Sequence, residues 1–284
     1  MPGVGRRSVL LGAAGALTLA LTGCGAAEPS VPYAQGSFVS RRRGDVRTGW
    51  TVLYPPGHEH TRLPVLVVLH GRSGNNRSAY QDLHLDHYLA RTVSAGTRPF
   101  AVASVDGGDH DYWHPRRSGD PAGMVVDEFV PLLSGRGLEV GRIGLLGWSM
   151  GGYGALYLAG VLRATRCAVA VAESPAIWHR SDQTAAGAFD GPADFAAHTI
   201  FGRQALLKGI ALRVDCGAAD GFAPVTRDVR ASIPPHAGGR HRAGWARRVV
   251  LALAGTGPAR LRRRPPGLSR RRATRRRRPR GSRR

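Results

Sequence analysis

Gly147-Trp148-Ser149-Met150-Gly151-Gly152 decides how this chain is read. The apolar stretch Ile143-Gly144-Leu145-Leu146 precedes it, and Tyr153-Gly154-Ala155-Leu156-Tyr157-Leu158, which reads as a helix, follows. A Gly-x-Ser-x-Gly pattern between a strand and a helix places the serine on a sharp turn with its hydroxyl projecting. A serine hydroxyl is a weak nucleophile and needs that projection to meet a base. Side chains at 147 or 151 would crowd the turn. At the helix N-terminus the serine also has unpaired N–H groups beside it, able to stabilise negative charge. A glycine-rich turn with an incidental serine is the competing reading, and the strand-then-helix context argues against it.

Outward from this turn, residues 64–69 form an unbroken apolar run of strand length, as expected for a buried parallel strand. Residues 38–54 read as an antiparallel edge pair. A helix is expected from Ser78, a good N-cap, to about Ser94, with Gly96 as its stop. Further strands are expected at 100–105, 142–146, 168–172 and 210–214. A helix is expected at 124–133, with Pro131 near its end or kinking it. Strands alternating with helices predict an α/β fold with a doubly wound, mainly parallel sheet.

A serine acyl-transfer site needs oxyanion donors, a base, and an acid that orients the base. Leu69-His70-Gly71-Arg72-Ser73-Gly74 follows the 64–69 strand. The backbone N–H groups of Arg72 and of Met150, directly after the serine, are the expected donors. The acid is expected beyond a late strand, in Asp215-Cys216-Gly217-Ala218-Ala219-Asp220. Asp220 lies in the loop, where a carboxylate can reach an imidazole. Asp215, nearer the strand end, is expected to brace the turn. The competing role for Asp220 is an N-cap for the segment beginning at Phe222. His70, His110 and His114 lie upstream and are expected as polar pocket wall rather than base. Trp148, Trp178, Tyr112 and Trp113 are candidate pocket walls, or core.

Gly-Trp-Ser-Met-Gly-Gly-Tyr-Gly around Ser149, Asp106-Gly107-Gly108 with Tyr112-Trp113-His114-Pro115-Arg116, Glu173-Ser174-Pro175-Ala176-Ile177-Trp178, and Asp215 through Asp220 together resemble the esterase D and mycolyltransferase branch of the α/β-hydrolases. The resemblance covers residues 38–233. It implies an α/β-hydrolase fold, hydrolysis of small-molecule or lipid carboxylic esters or acyl transfer to an alcohol, a serine–acid–histidine triad, and no cofactor.

One part of that pattern is missing. The family places its histidine after the acid, in Gly-Gly-His-Asp followed by an aromatic pair. This chain has His236-Ala237-Gly238-Gly239-Arg240-His241-Arg242-Ala243-Gly244-Trp245 there. GC-rich codons permitted for residues from 241 onward, read one nucleotide later, encode Ile-Glu-Pro-Gly-Gly-His-Asp-Ala-Ser-Tyr-Trp-Arg. The expectation is a displaced reading frame from about residue 235 and impaired catalysis. The rival reading makes His241, or after it His236, the base from an altered loop.

At 284 residues the chain can hold one large α/β domain. Its +22 net charge is uneven: 18 arginines and no carboxylate lie from His236 onward, which leaves +4 on the rest. The tail lacks periodicity and is expected to be disordered. It would attract polyanions through charge alone, and with no aromatic after Trp245 it gives no support for specific nucleic-acid binding. Arg6-Arg7 before the apolar residues 9–22 resembles a twin-arginine export signal, and Leu21-Thr22-Gly23-Cys24 resembles a lipobox. Those resemblances imply lipidation of Cys24 and an exported protein, held to the cell membrane by a lipid anchor or secreted. The expected organisation is thus a signal peptide at 1–23, a linker at 24–36, a hydrolase domain at 37–235 and a basic tail at 236–284. Cys167 and Cys216 are expected as two buried thiols rather than a disulfide, and no Cys/His spacing suggests a metal.

Overall fold

The computed structural model describes residues 28–233. The expected signal peptide, Cys24, His236, His241 and the arginine tail with its displaced frame lie outside the described residues.

Seven strands form one sheet in the order β1-β2-β4-β3-β5-β6-β7. They are β1 (Tyr33–Ser40), β2 (Val46–Leu53), β3 (Pro64–Leu69), β4 (Ala101–Val105), β5 (Glu139–Trp148), β6 (Cys167–Glu173) and β7 (Ala211–Asp215). The five strands from β4 to β7 run parallel, and β1 and β2 add an antiparallel hairpin at one edge. β1 begins at Tyr33, inside the stretch expected as linker. Its alternation of Tyr, Gln and Ser with small residues is too polar to read as a strand until its partner β2 is known.

Strand β3 shows why the sheet is covered on both sides. Val65, Val67 and Leu69 enter one apolar core, and Leu66 and Val68 enter the other. The first core packs under α5 (Met150–Arg166), and the second under α1 (Ser78–Gln81) and α2 (Leu85–Ser94).

The single helix expected over 78–94 is two. The chain breaks at His84, which takes a left-handed φ of 50° before α2 begins. Ser78 is inside α1 rather than capping it, and its hydroxyl accepts from the Asn75 N–H (3.2 Å). The helix expected over 124–133 spans three pieces: α3 (Pro121–Met124), a π turn (Val125–Phe129) and α4 (Val130–Gly135). Pro131 sits in the first turn of α4, where a missing N–H is tolerated, and the ladder widens just before it. Cys167 and Cys216 are free, as expected, but only Cys167 is buried. Burial pushes its thiol pKa up to about 12, so it is inert.

Two more α-helices, α6 (Pro192–His198) and α7 (Ala223–Ser232), and three short 3₁₀ helices (Arg41–Arg43, Ser181–Gln183 and Gln204–Leu207) complete the described chain. Among the described residues no helix is long and apolar enough to cross a membrane.

Candidate active site

Strands β3, β5, β6 and β7 end at one level: Leu69 lies opposite Gly147, Trp148 opposite Glu173, and Glu173 opposite Asp215. Between β3 and β5 the strand order reverses, since the chain moves from β3 outward to β4 and then returns to the far side. A crevice opens at such a reversal, at the carboxyl ends of the strands. Ser149 follows β5 and His70-Gly71 follows β3, so the two segments flank that point of reversal.

Ser149 has φ 53° and ψ −118°, a conformation that a non-glycine residue holds only under constraint. Three backbone hydrogen bonds supply it. Its N–H donates to the Glu173 carbonyl (2.9 Å), and its own carbonyl accepts from the N–H groups of Tyr153 (3.0 Å) and Ala176 (2.9 Å). Both flanking glycines are required by space. A Cβ on Gly147 would stand 3.0 Å from Gly151 Cα and nearer still to the Gly151 carbonyl. One on Gly151 would stand 2.7 Å from the His70 carbonyl oxygen and nearer to that of Leu69. The β3 corner therefore lies directly against the turn. Ser149 is partly exposed, and among the described residues its hydroxyl has no hydrogen-bond partner.

The N–H groups of Arg72 and Met150 likewise have no acceptor among the described residues. Met150 opens α5, where orphan N–H groups are expected. The Arg72 side chain turns outward and meets His110 Nε2 (2.6 Å), while His110 Nδ1 lies 2.6 Å from Asp109.

Asp220 occupies the loop between β7 and α7. The Phe222 N–H donates to its carboxylate (2.8 Å), and this bond first, then the neighbouring Ser174 and Cys216 side chains, holds its pKa below the usual range. Ser174 directly follows Glu173, whose carbonyl accepts from the Ser149 N–H, so the Asp220 loop and the Ser149 turn lie against adjacent residues. The bond to Phe222 closes a turn two residues long ahead of α7; the helix N-cap expected as the competing role is not formed, because Phe222 itself is the N-cap of α7 and no side chain caps it. Asp215 braces the same corner through its carbonyl, which accepts from the Ser174 N–H (2.7 Å). Among the described residues no imidazole is hydrogen-bonded to Ser149 or Asp220.

The upstream histidines do not form a polar wall. His70 is buried and its ring is spent on Gly71 and Gly107. His114 is fully buried against Phe189 and His198. His110 alone of the three is partly exposed. Trp113 is core rather than wall, fully buried over Gly107 and Gly154. Consecutive left-handed φ values, 50° at Tyr112 and 54° at Trp113, turn it inward. Trp148 and Trp178 are partly exposed, and Trp178 joins Tyr112, Phe189 and Phe222 in one aromatic group.

The sequence did not reveal the cluster around Asp194. His114 Nε2 (3.2 Å), His198 Nδ1 (2.7 Å) and the Asp190 N–H (2.8 Å) all meet its carboxylate. His114, Asp194 and His198 each offer a ligand atom within 4.8 Å of the others. The Arg116 guanidinium lies 3.9 Å from the same carboxylate and opposes a metal cation there. The trio is a hydrogen-bonded tie between the 110–117 loop and α6. A depression of about 500 Å³ beside it is lined by Pro115, Arg116, Arg117 and residues 190–194. It holds no nucleophile, and Arg116 there is committed to Asp190 (2.7 Å).

No family model matches the chain, and no curated protein does. Solved structures do. A ferulic acid esterase superposes with a TM-score of 0.61 at 19% identity, covering 70% of this chain and 84% of its own. An S-formylglutathione hydrolase from Agrobacterium tumefaciens gives 0.57 at 16%, covering 78% and 92%. FphF, a fluorophosphonate-binding serine hydrolase of Staphylococcus aureus, gives 0.56 at 19%, covering 79% and 98%. The chain has the α/β-hydrolase fold. In an α/β-hydrolase the turn after the elbow strand carries the nucleophile. Here the residue at that turn is Ser149.

Proposed function

We propose that this chain is a serine hydrolase of carboxylic esters. Ser149 attacks the acyl carbonyl and forms an acyl-enzyme, which water or an alcohol then intercepts. The observation that carries this reading is the strained, triply anchored backbone of Ser149, with its hydroxyl left free at the crevice. In this reading the Arg72 and Met150 N–H groups receive the tetrahedral oxygen, and Asp220 orients the base. The activities that the ferulic acid esterase and the S-formylglutathione hydrolase are named for, both acyl cleavage, support it by analogy of fold.

In this reading the base comes from beyond Ile233, and His241 is the proposed residue. With the Gly-Gly-His-Asp segment missing, turnover is expected to be weak. An oxyanion site without a working base still gives about 10³–10⁴ over water. A fluorophosphonate tests the nucleophile directly, because it reports covalent capture rather than turnover. Wild type should label and Ser149→Ala should not; labelling of Ser149→Ala at the wild-type level would end the proposal.

We also propose that the protein is exported and held at the outer face of the cell membrane through lipid on Cys24. Cys24→Ala should then move it from the membrane fraction to the soluble fraction, and unchanged membrane association would exclude this anchor.

A further inference from the structure

His70 closes β3 with its side chain 2% exposed, too deep to be a base for a solvent-facing substrate. Its ring hydrogen bonds fix one tautomer. Nε2 accepts from the Gly107 N–H (2.9 Å), so the proton is on Nδ1, which donates to the Gly71 carbonyl (2.7 Å). Asp106 Oδ1 is 3.7 Å from Nε2, too far to hydrogen-bond. The Trp113 ring stands edge-on to the imidazole at 5.0 Å, and its Nε1–H donates to the His70 carbonyl (3.2 Å).

The two peptide units that His70 joins are each held again from outside. Buried Arg43 donates to the Asp106 carbonyl (2.9 Å), the other end of the peptide that supplies the Gly107 N–H. The Gly71 carbonyl accepts a second bond from the Gly74 N–H (3.1 Å). In a planar trans peptide the C=O and N–H point in opposite directions. Fixing the Gly71 carbonyl therefore fixes the direction of the Arg72 N–H, an unbonded donor at the β3 corner that packs against the Ser149 turn. Gly71 lies close against the elbow, since a Cβ added there would stand 2.7 Å from Trp148 Nε1.

We infer that His70 is a positioning residue for the oxyanion donor. Through its Nδ1–H tautomer it aims the Arg72 N–H at the oxygen that forms on the Ser149 adduct. This inference rests on the proposed serine chemistry. A histidine kept only for packing would not need this tautomer, nor would an isosteric donor replace it.

The test uses the full chain and two readouts. Long-range ¹⁵N–¹H correlation at pH 7.5 should show His70 protonated on Nδ1; a proton on Nε2 overturns the inference. Fluorophosphonate inactivation should slow about 10- to 100-fold in His70→Leu, part of the roughly 10²–10³-fold that complete loss of one oxyanion donor costs. The loss should fall on the limiting rate and not on half-saturation. His70→Asn, whose amide N–H stands where Nδ1–H stood, should recover most of it. His70→Leu labelling at the wild-type rate, or folded His70→Asn as slow as His70→Leu, overturns the inference. If His70→Leu does not fold, the tautomer and the Asn variant decide. Wild type that never labels removes the serine chemistry, and the inference with it. That failure is distinct from a labelled wild type indifferent to His70.

Discussion

Gly151→Ala should cost this fold about 3 kcal/mol and abolish fluorophosphonate capture. The new methyl would stand 2.7 Å from the His70 carbonyl oxygen and closer still to the Leu69 oxygen. Neither obstacle is a side chain that can rotate away. Leu69 ends a central strand and is paired with Gly147 of β5. His70 is locked by its own ring and by Trp113. Overpacking a rigid site costs about 1–3 kcal/mol and sometimes more, and backbone on both sides places this case at the upper end. For a domain of this size that lowers the melting temperature by roughly 6–12 °C. If the protein survives, α5 must move away from β3, which carries Ser149 away from the Arg72 N–H. Gly141→Ala is the control: a Cβ there meets nothing within 4 Å, and its stability should stay within about 0.5 kcal/mol of wild type. Thermal unfolding of both variants checks the difference. Equal melting temperatures would mean that the elbow is looser than the glycine contacts imply.

The elbow was legible because its constraints are local. Two glycines, a serine, an apolar run before and a helix after fall within sixteen residues of sequence, 143–158. The parallel strands were legible for the same reason, since strands buried on both faces read as unbroken apolar runs. What failed was whatever depends on distant partners or on φ. The His84 break carries no glycine or proline to announce it. Trp113 reads as a pocket aromatic in any linear scan, and the left-handed pair at 112 and 113 decides that it faces the core. His114 and Asp194 are 80 residues apart, and the sequence contains no spacing rule that joins them. His70 was visible as a residue but not as a relay. Its role depends on Gly107, which arrives from the loop after β4.

The Asp194 cluster gives a second large effect, in stability against pH. His114 lies between two acceptors, the Tyr112 carbonyl (3.1 Å) and the Asp194 carboxylate (3.2 Å). A protonated ring would serve both and a neutral ring only one. Burial outweighs that gain and depresses the His114 pKa from 6.5 to about 4, with nearby His198 acting in the same direction. The sign follows from linkage. Above pH 6.5 neither the folded nor the unfolded imidazole is charged, and pH has no effect through this group. Between pH 6.5 and 4 the unfolded chain takes up the proton and the folded chain does not, so stability falls as pH falls. Below pH 4 both are protonated and the loss levels off. The full loss is roughly 3 kcal/mol. Asp194 adds to it at the acid end. Burial raises its carboxyl pKa, but the Asp190 N–H and the two imidazoles more than offset this and lower it, so protonating it breaks the tie. His114→Phe keeps a ring stacked on Phe189 and removes the titrating group. The variant should lose most of the wild-type decline in melting temperature between pH 7 and pH 4.5. If its decline matches wild type, the proton is taken up elsewhere and His114 is not held neutral by the fold.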